Sequence, residues 1–138
     1  MSDAPKLNVS GYRGVWGDTL TEKIVTNYTQ AFAKFTIEET GKPNPVILIG
    51  RDGRESGPTI KQFVIKALES MGVVVVDGDI LPTPTVLFSV RKNNYDGAII
   101  ITASHNPIEY NGLKFVNSQA LFTILDEVDK INKFYEQA

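Results

Sequence analysis

Three short apolar runs, rich in β-branched residues, recur along the chain: PVILIG (45–50), VVVVDGDI (73–80) and DGAIIITAS (96–104). Each is bounded by glycine, proline or aspartate and lacks the polar interruptions of an amphipathic helix, so each reads as a strand buried on both faces. The stretches between them have helical spacing. From Thr21 to Thr40 apolar residues fall at Ile24, Tyr28, Ala31, Phe32 and Phe35, with Thr19 and Glu22 as a capping box and Gly41 as the stop. Pro58 suits a first helical turn, and Ile60, Val64, Leu68 and Met71 carry that helix to Gly72. A third helix is expected over 83–92, and Ile124, Val128, Ile131 and Tyr135 mark a closing one. Asn111-Gly112 is a turn dipeptide, after which GLKFVN is expected to fold back antiparallel. Residues 8–18, NVSGYRGVWGD, read as a short strand or extended arm passing into a loop. The pattern predicts an α/β fold, a three-layer α/β/α sandwich around a mixed, mostly parallel sheet of about four strands.

At 138 residues the chain has the length of a single domain, so 1–138 is expected to share one core. Its net charge of −2 and the lack of a Lys/Arg cluster argue against a nucleic-acid partner or an anionic membrane surface. With no cysteine, neither a disulfide framework nor a thiolate metal site is available. The polar start Met1-Ser2-Asp3-Ala4-Pro5-Lys6 carries no apolar signal segment and no apolar run reaches membrane-spanning length, which makes a cytoplasmic location the expectation. The chain stops directly after its last helix, as a first domain cut from something larger would. Such a domain is expected to expose an apolar interdomain face and to self-associate.

In open α/β sheets ligands gather outside the carboxyl ends of parallel strands. Three loops leave such ends here: RDGRESG after Ile49, DGDILPTP, and TASHNP after Ile101. They are expected to share one rim, where Ser104 would meet Arg51 or Arg54. Three of the four arginines, Arg13, Arg51 and Arg54, lie in glycine-flanked loops, placed either to grip phosphate or carboxylate or simply as solvated turn residues. Ser104 has two readings as well, a hydroxyl capping a turn or a carrier of a phosphoryl group. The missing G-x-S-x-G elbow argues against a Ser-His-Asp triad, and the adjacent His105 does not by itself put a base on the hydroxyl. A phosphoryl carrier needs cations around it, and Lys114, on a strand folding back toward the serine, could supply a cation or a proton. Asn106 is held extended by Pro107. His105, the only histidine, lacks partners for a metal site. Asp77-Gly78-Asp79 reads as a pair of solvated strand-end acids rather than a cation site.

The string Thr102-Ala103-Ser104-His105-Asn106-Pro107, followed by Tyr110-Asn111-Gly112 and Lys114, resembles the active-site serine loop of the α-D-phosphohexomutases. GYRGVWGDTLT resembles that family's glycine-arginine-glycine arm, GRDGRESG its Gly-Arg-Asp-x-Arg element, and Leu81-Pro82-Thr83-Pro84 its Pro-Thr-Pro turn, so the likeness covers essentially the whole chain. The resemblance implies the first domain of a four-domain phosphomannomutase/phosphoglucomutase, inactive alone, whose remaining domains supply the sugar-recognition, metal and C-terminal phosphate loops. It implies that Ser104 carries the phosphoryl group exchanged with a hexose phosphate through glucose or mannose 1,6-bisphosphate. Lys114 would transfer a proton, with His105 and Arg13 supporting the reaction. Tyr12, Arg13, Asn106, Asn111 and Lys114 would contact substrate or phosphate, with Arg51 as a further phosphate contact. A Mg²⁺ would sit on the phosphoserine oxygen. Thr102 and Tyr110-Asn111-Gly112 look more like the mannose/glucose enzymes than the glucosamine branch. Tyr12 stands where isoleucine is frequent and Gly53 where threonine is common. The rival from another class is a non-catalytic module that binds sugar phosphates or other anions.

Overall fold

The computed structural model describes residues 6–138; the polar start noted above, residues 1–5, lies outside the described part. In chain order the described elements are β1 (Tyr12–Val15), α1 (Glu22–Thr40), β2 (Val46–Arg51), α2 (Gly57–Ser70), β3 (Val74–Ile80), α3 (Thr83–Asn93), β4 (Gly97–Ile101), β5 (Tyr110–Val116) and α4 (Leu125–Glu136). The strands form one sheet in the order β1-β5-β4-β2-β3. β2 pairs in parallel with β3 and β4, whereas β5 runs antiparallel to both β4 and β1. The sheet therefore has five strands rather than four, and its pairings divide evenly between parallel and antiparallel. The additional strand is the arm, whose four residues align with Tyr110 to Leu113. So short a run, with a glycine inside it, shows no periodicity of its own.

Alternation along the strands sorts the core into two layers. Ile47, Ile49, Ile99, Ile101, Leu113 and Phe115 face α1, α2 and α4. Leu48, Ala98, Ile100 and Val116 face the other way, against Val86 and Val90 of α3. The three-layer sandwich is thus lopsided, with three helices on one face and one on the other. α3 packs on β2 and β4.

Three local expectations change. The helix α1 is capped by Thr21, whose hydroxyl accepts from the Ile24 N–H, while Thr19 accepts from the Val15 N–H at 2.8 Å and closes the turn after β1. Gly41 does stop α1, at φ 71°. β3 is an edge strand rather than a buried one: Val74 and Ile80 are 50% and 58% exposed, because among the described residues β2 is the one strand beside it and α3 lies over β2 and β4. Asn111-Gly112 lies inside β5, and the reversal comes earlier, where the Asn106 N–H donates to the Ala103 carbonyl and the Tyr110 N–H to the Pro107 carbonyl, each at 3.0 Å. Gly112 is required by close approach. A Cβ there would strike the Tyr12 carbonyl oxygen, with the Thr102 carbonyl oxygen 2.9 Å away.

The arm is pinned at its start. The Leu7 N–H donates to the Tyr28 hydroxyl (2.9 Å) and to Asn132 Oδ1 (3.2 Å), and Asn132 Nδ2 donates to the Leu7 carbonyl (3.0 Å). The Tyr28 hydroxyl in turn donates to Asn132 Oδ1 at 2.7 Å.

Candidate active site

β4 ends at Ile101, and the backbone that leaves it is held by β5 through the Thr102 N–H, which donates to the Gly112 carbonyl at 3.0 Å. Two residues on, Ser104 has φ 53°, a left-handed backbone that costs a non-glycine residue roughly 1 kcal/mol. It is exposed, so the strain is not offset by burial of its own side chain. Two sets of contacts hold it there. The Ser104 N–H donates to Thr102 Oγ1 at 3.0 Å, and that hydroxyl gives its own proton to Asp52 Oδ2 at 2.7 Å. Arg54 closes the loop from the other side. Its Nη1 donates to the carbonyls of Pro107 (2.6 Å) and Tyr110 (3.0 Å) and its Nη2 to those of Ser104 (2.9 Å) and Asn106 (2.8 Å). Its Nε donates to Asp52 Oδ2 at 3.3 Å. A guanidinium has five N–H donors, so Arg54 has none left for a ligand. The expected meeting of Ser104 and Arg54 is real, but it runs through the serine carbonyl rather than its hydroxyl.

The hydroxyl faces Arg13. In the β1–β5 register Tyr12 lies opposite Leu113 and Arg13 opposite Gly112. Leu113 belongs to the three-helix core, so Tyr12 faces that side, stacked on Tyr28 at 5.8 Å with its hydroxyl donating to the Thr19 carbonyl at 2.6 Å. Arg13 consequently emerges on the opposite face, together with Lys114, two residues beyond Gly112. The exposed Arg13 reaches Ser104 Oγ through Nη2 at 3.5 Å and Asn106 Oδ1 through Nη1 at 3.4 Å, long contacts that an anion can replace. Lys114 Nζ lies 4.2 Å from the centre of the Phe122 ring. Burial, and then the charge of Arg13, pushes the Lys114 ammonium below its ordinary value of 10.5. Two cations and an exposed hydroxyl thus share the rim.

The remaining residues named from sequence divide between this loop and the buried interior. His105 and Asn106 sit on the same loop, His105 exposed and Asn106 half-buried. Asn111 is wholly buried, giving Nδ2 to Ser56 Oγ at 2.8 Å and accepting from the Gly112 N–H at 2.9 Å, which fastens β5 to the start of α2. Arg51 is also buried, its Nε donating to Asp79 Oδ1 at 2.8 Å and its Nη1 to the Asp52 carbonyl at 3.1 Å. Asp79, at φ 56°, also takes Lys61, which bridges to Asp77 at 3.0 Å, so the two strand-end acids are neutralised by cations of the chain itself. Lys61 and Arg51 together hold the Asp79 carboxyl below its usual range. Beside this network a crevice of about 280 Å³ opens at the carboxyl ends of the parallel strands, between Asp52, Leu81, Pro82, Thr83 and Thr102. Among the described residues no three His, Asp or Glu side chains gather as a metal site.

Thr102, Asp52 and the clasping role of Arg54 were not apparent in the sequence. The available signal was Asp52-Gly53-Arg54 itself, where the Arg54 N–H donates to Asp52 Oδ1 at 3.1 Å in an Asx turn that aims the guanidinium back across the loop.

Fold and site together define a three-layer α/β/α domain that presents an exposed, cation-flanked serine at the end of a central strand. The family model described as phosphoglucomutase/phosphomannomutase, alpha/beta/alpha domain I, matches residues 4–138, and the chain belongs to this family. It is 40% identical, over 83% of its length, to the phosphoglucosamine/phosphogalactosamine mutase of Sulfurisphaera tokodaii. It is 36% identical, over 80% of its length, to the phosphoglucomutase/phosphomannomutase of Thermococcus kodakarensis. These matches span only 24% of either relative. A crystal structure of a protein assigned as a phosphomannomutase from Thermus thermophilus superposes with a TM-score of 0.87 at 26% identity, covering 98% of this chain and 30% of that one. No helix among the described residues is long and apolar enough to cross a membrane.

Proposed function

We propose that this chain is the serine-bearing first domain of a hexose-phosphate mutase and that Ser104 carries the transferred phosphoryl group. The observation that supports this most is the exposed Ser104 hydroxyl facing Arg13 on a loop fixed from both sides. In the forward step a free hydroxyl of a hexose monophosphate attacks the phosphorus on Ser104. The Ser104 Oγ–P bond breaks as the new O–P bond forms, and the attacking hydroxyl loses its proton. Lys114, whose pKa burial and the Arg13 charge lower, is assigned the transfer of that proton. The hexose bisphosphate then presents its other phosphoryl group to Ser104 Oγ; its sugar O–P bond breaks as the Oγ–P bond re-forms, and the sugar oxygen takes a proton back from Lys114 to leave as the isomeric monophosphate. Arg13 offsets charge on the phosphoryl group in transit, and His105 and Asn106 line its approach on the same loop.

The family's Mg²⁺ would find one ligand here, a phosphoserine oxygen. The described side chains do not complete a cation site, so no step is assigned to the metal, and its other ligands would come from the remaining domains. Most of these relatives, at 35–40% identity, are named for amino-sugar phosphates, and one, at 36%, for glucose and mannose phosphates. Thr102 and Tyr110-Asn111-Gly112 incline the reading toward glucose and mannose phosphates, with glucose or mannose 1,6-bisphosphate as intermediate.

The test is made on the full-length protein. Mass spectrometry should map a phosphoryl group to Ser104, and Ser104→Ala should abolish interconversion of hexose 1- and 6-phosphates. Unchanged turnover in Ser104→Ala would overturn the assignment. An isolated domain that binds hexose phosphate tightly by itself would favour a binding module.

A further inference from the structure

The Ser104 loop has no regular secondary structure, yet most of its backbone carbonyls accept a hydrogen bond and the Ser104, Asn106 and Tyr110 amides each donate one. Ser104, Asn106, Pro107 and Tyr110 each give a carbonyl to the single side chain of Arg54. The Ser104 amide goes to the Thr102 hydroxyl. Both holding groups converge on one carboxylate: Asp52 Oδ2 accepts from Thr102 at 2.7 Å and from Arg54 Nε at 3.3 Å, while Oδ1 accepts from the Arg54 amide. None of these contacts involves the serine hydroxyl. They fix the backbone that aims it.

We propose that Thr102 and Arg54, both anchored on Asp52, are the positioning residues of phosphoryl transfer. They hold Ser104 in its left-handed backbone so that Oγ stays beside Arg13. This rests on the reading of Ser104 as the phosphoryl carrier. The chemistry of each group sets what can replace it. Thr102 must donate through its hydroxyl to Asp52 and accept from the Ser104 amide through the same oxygen. Serine can do both, and valine, of nearly the same shape, can do neither. Arg54 must fill four carbonyls and a carboxylate from one plane, and the three donors of a lysine ammonium cannot span that fork. The role also predicts which kinetic constant responds. Arg54 and Thr102 have no free donor directed at a substrate, so their loss should misalign the transferring group without removing a binding contact.

The experiment uses the full-length protein with glucose 1-phosphate as substrate and glucose 1,6-bisphosphate as activator, comparing Thr102→Val, Thr102→Ser, Arg54→Lys and Ser104→Ala. Thr102→Val is expected to lower kcat by about 30- to 100-fold with KM within about threefold, the scale of a small misplacement of a reacting group. Thr102→Ser is expected to stay within about threefold of the parent, because it restores both hydrogen bonds. Arg54→Lys is expected to fall at least as far as Thr102→Val. Where Arg54→Lys does not fold, the Thr102 pair decides the matter. Equal effects of valine and serine at position 102, or a Thr102→Val enzyme with the parent kcat, would overturn the positioning role while Ser104→Ala remains inactive. Activity in Ser104→Ala would instead overturn the reading of Ser104 itself, and the positioning role with it.

Discussion

Removing the carboxamide of Asn132 should loosen the domain far more than an average helix substitution. Asn132 is 7% exposed and makes three hydrogen bonds, accepting from the Tyr28 hydroxyl and the Leu7 amide and donating to the Leu7 carbonyl. In Asn132→Ala the Leu7 amide keeps the Tyr28 hydroxyl as an acceptor, so that loss is partial. The Leu7 carbonyl, on a residue 2% exposed, loses the donor that Asn132 provides. Burial pushes the Tyr28 hydroxyl up to about 12, so it remains a donor at neutral pH and loses its Asn132 acceptor. At about 1 kcal/mol for each neutral bond, plus desolvation of a carbonyl without a donor, the expected cost is about 2–4 kcal/mol. That is a large share of the ~5–15 kcal/mol by which a domain is typically stable. Urea unfolding followed by tryptophan fluorescence should show the midpoint falling by about 1–2 M at unchanged slope. A shift below about 0.3 M at the same slope would show that water or a small backbone adjustment replaces the amide, and that the arm is not held in this way.

Gly112→Ala should cost at least about 2 kcal/mol, since its Cβ has strand backbone on two sides, whereas Gly53→Ala, with nothing within 4 Å of the added carbon, should stay within about 0.5 kcal/mol; thermal melts of the pair test the contrast. Arg13→Gln should raise the Lys114 pKa toward 10.5 without restoring it fully, because burial is the larger cause, and the Lys114 side-chain resonances followed by NMR through an alkaline titration would show it. Because the folded state binds the Lys114 proton less tightly than the unfolded chain does, this group's contribution to stability should improve as pH rises from the folded pKa toward 10.5. Ile80 and Phe88 are 58% and 63% exposed, so sedimentation of this domain at two concentrations should show self-association that Phe88→Glu weakens. A monomer at both concentrations would contradict that expectation.

The central strands could be read from sequence because runs such as Ile99-Ile100-Ile101 are buried on both faces, and burial on both faces leaves an unbroken apolar string. The same logic failed at Val74–Ile80. An edge strand of an α/β sheet can be as rich in valine as its centre, and only the sheet order reveals how few neighbours it has. β1 was underread because its pairing partner lies about a hundred residues away and its own four residues carry no alternation signal. In the site, Ser104, Arg13 and Lys114 could be singled out as chemical types in glycine-bounded loops, and the fold brings them to one rim. Asn111 and Arg51 share that chemistry but are committed to Ser56 and to Asp79, distinctions set by register and burial rather than by residue type. Arg54 shows the same principle from the other direction. A guanidinium in a glycine-flanked loop suggests an anion, and only a count of its partners shows that protein carbonyls and a carboxylate have taken every donor.

The two sides of the site differ in how they can come apart. The Arg54 clasp joins a loop after β2 to a loop after β4, neighbours at the centre of the sheet, so it should open only when the domain unfolds globally. Arg13 rides on an edge strand of four residues that, among the described residues, pairs with β5 alone. That strand can fray as a separate, less stable cooperative unit. The topology therefore predicts a minor native population with the serine loop intact but β1 and its arginine withdrawn. In hydrogen exchange it would appear as amides of residues 12–15 exchanging well before the Thr102 and Ser104 amides do.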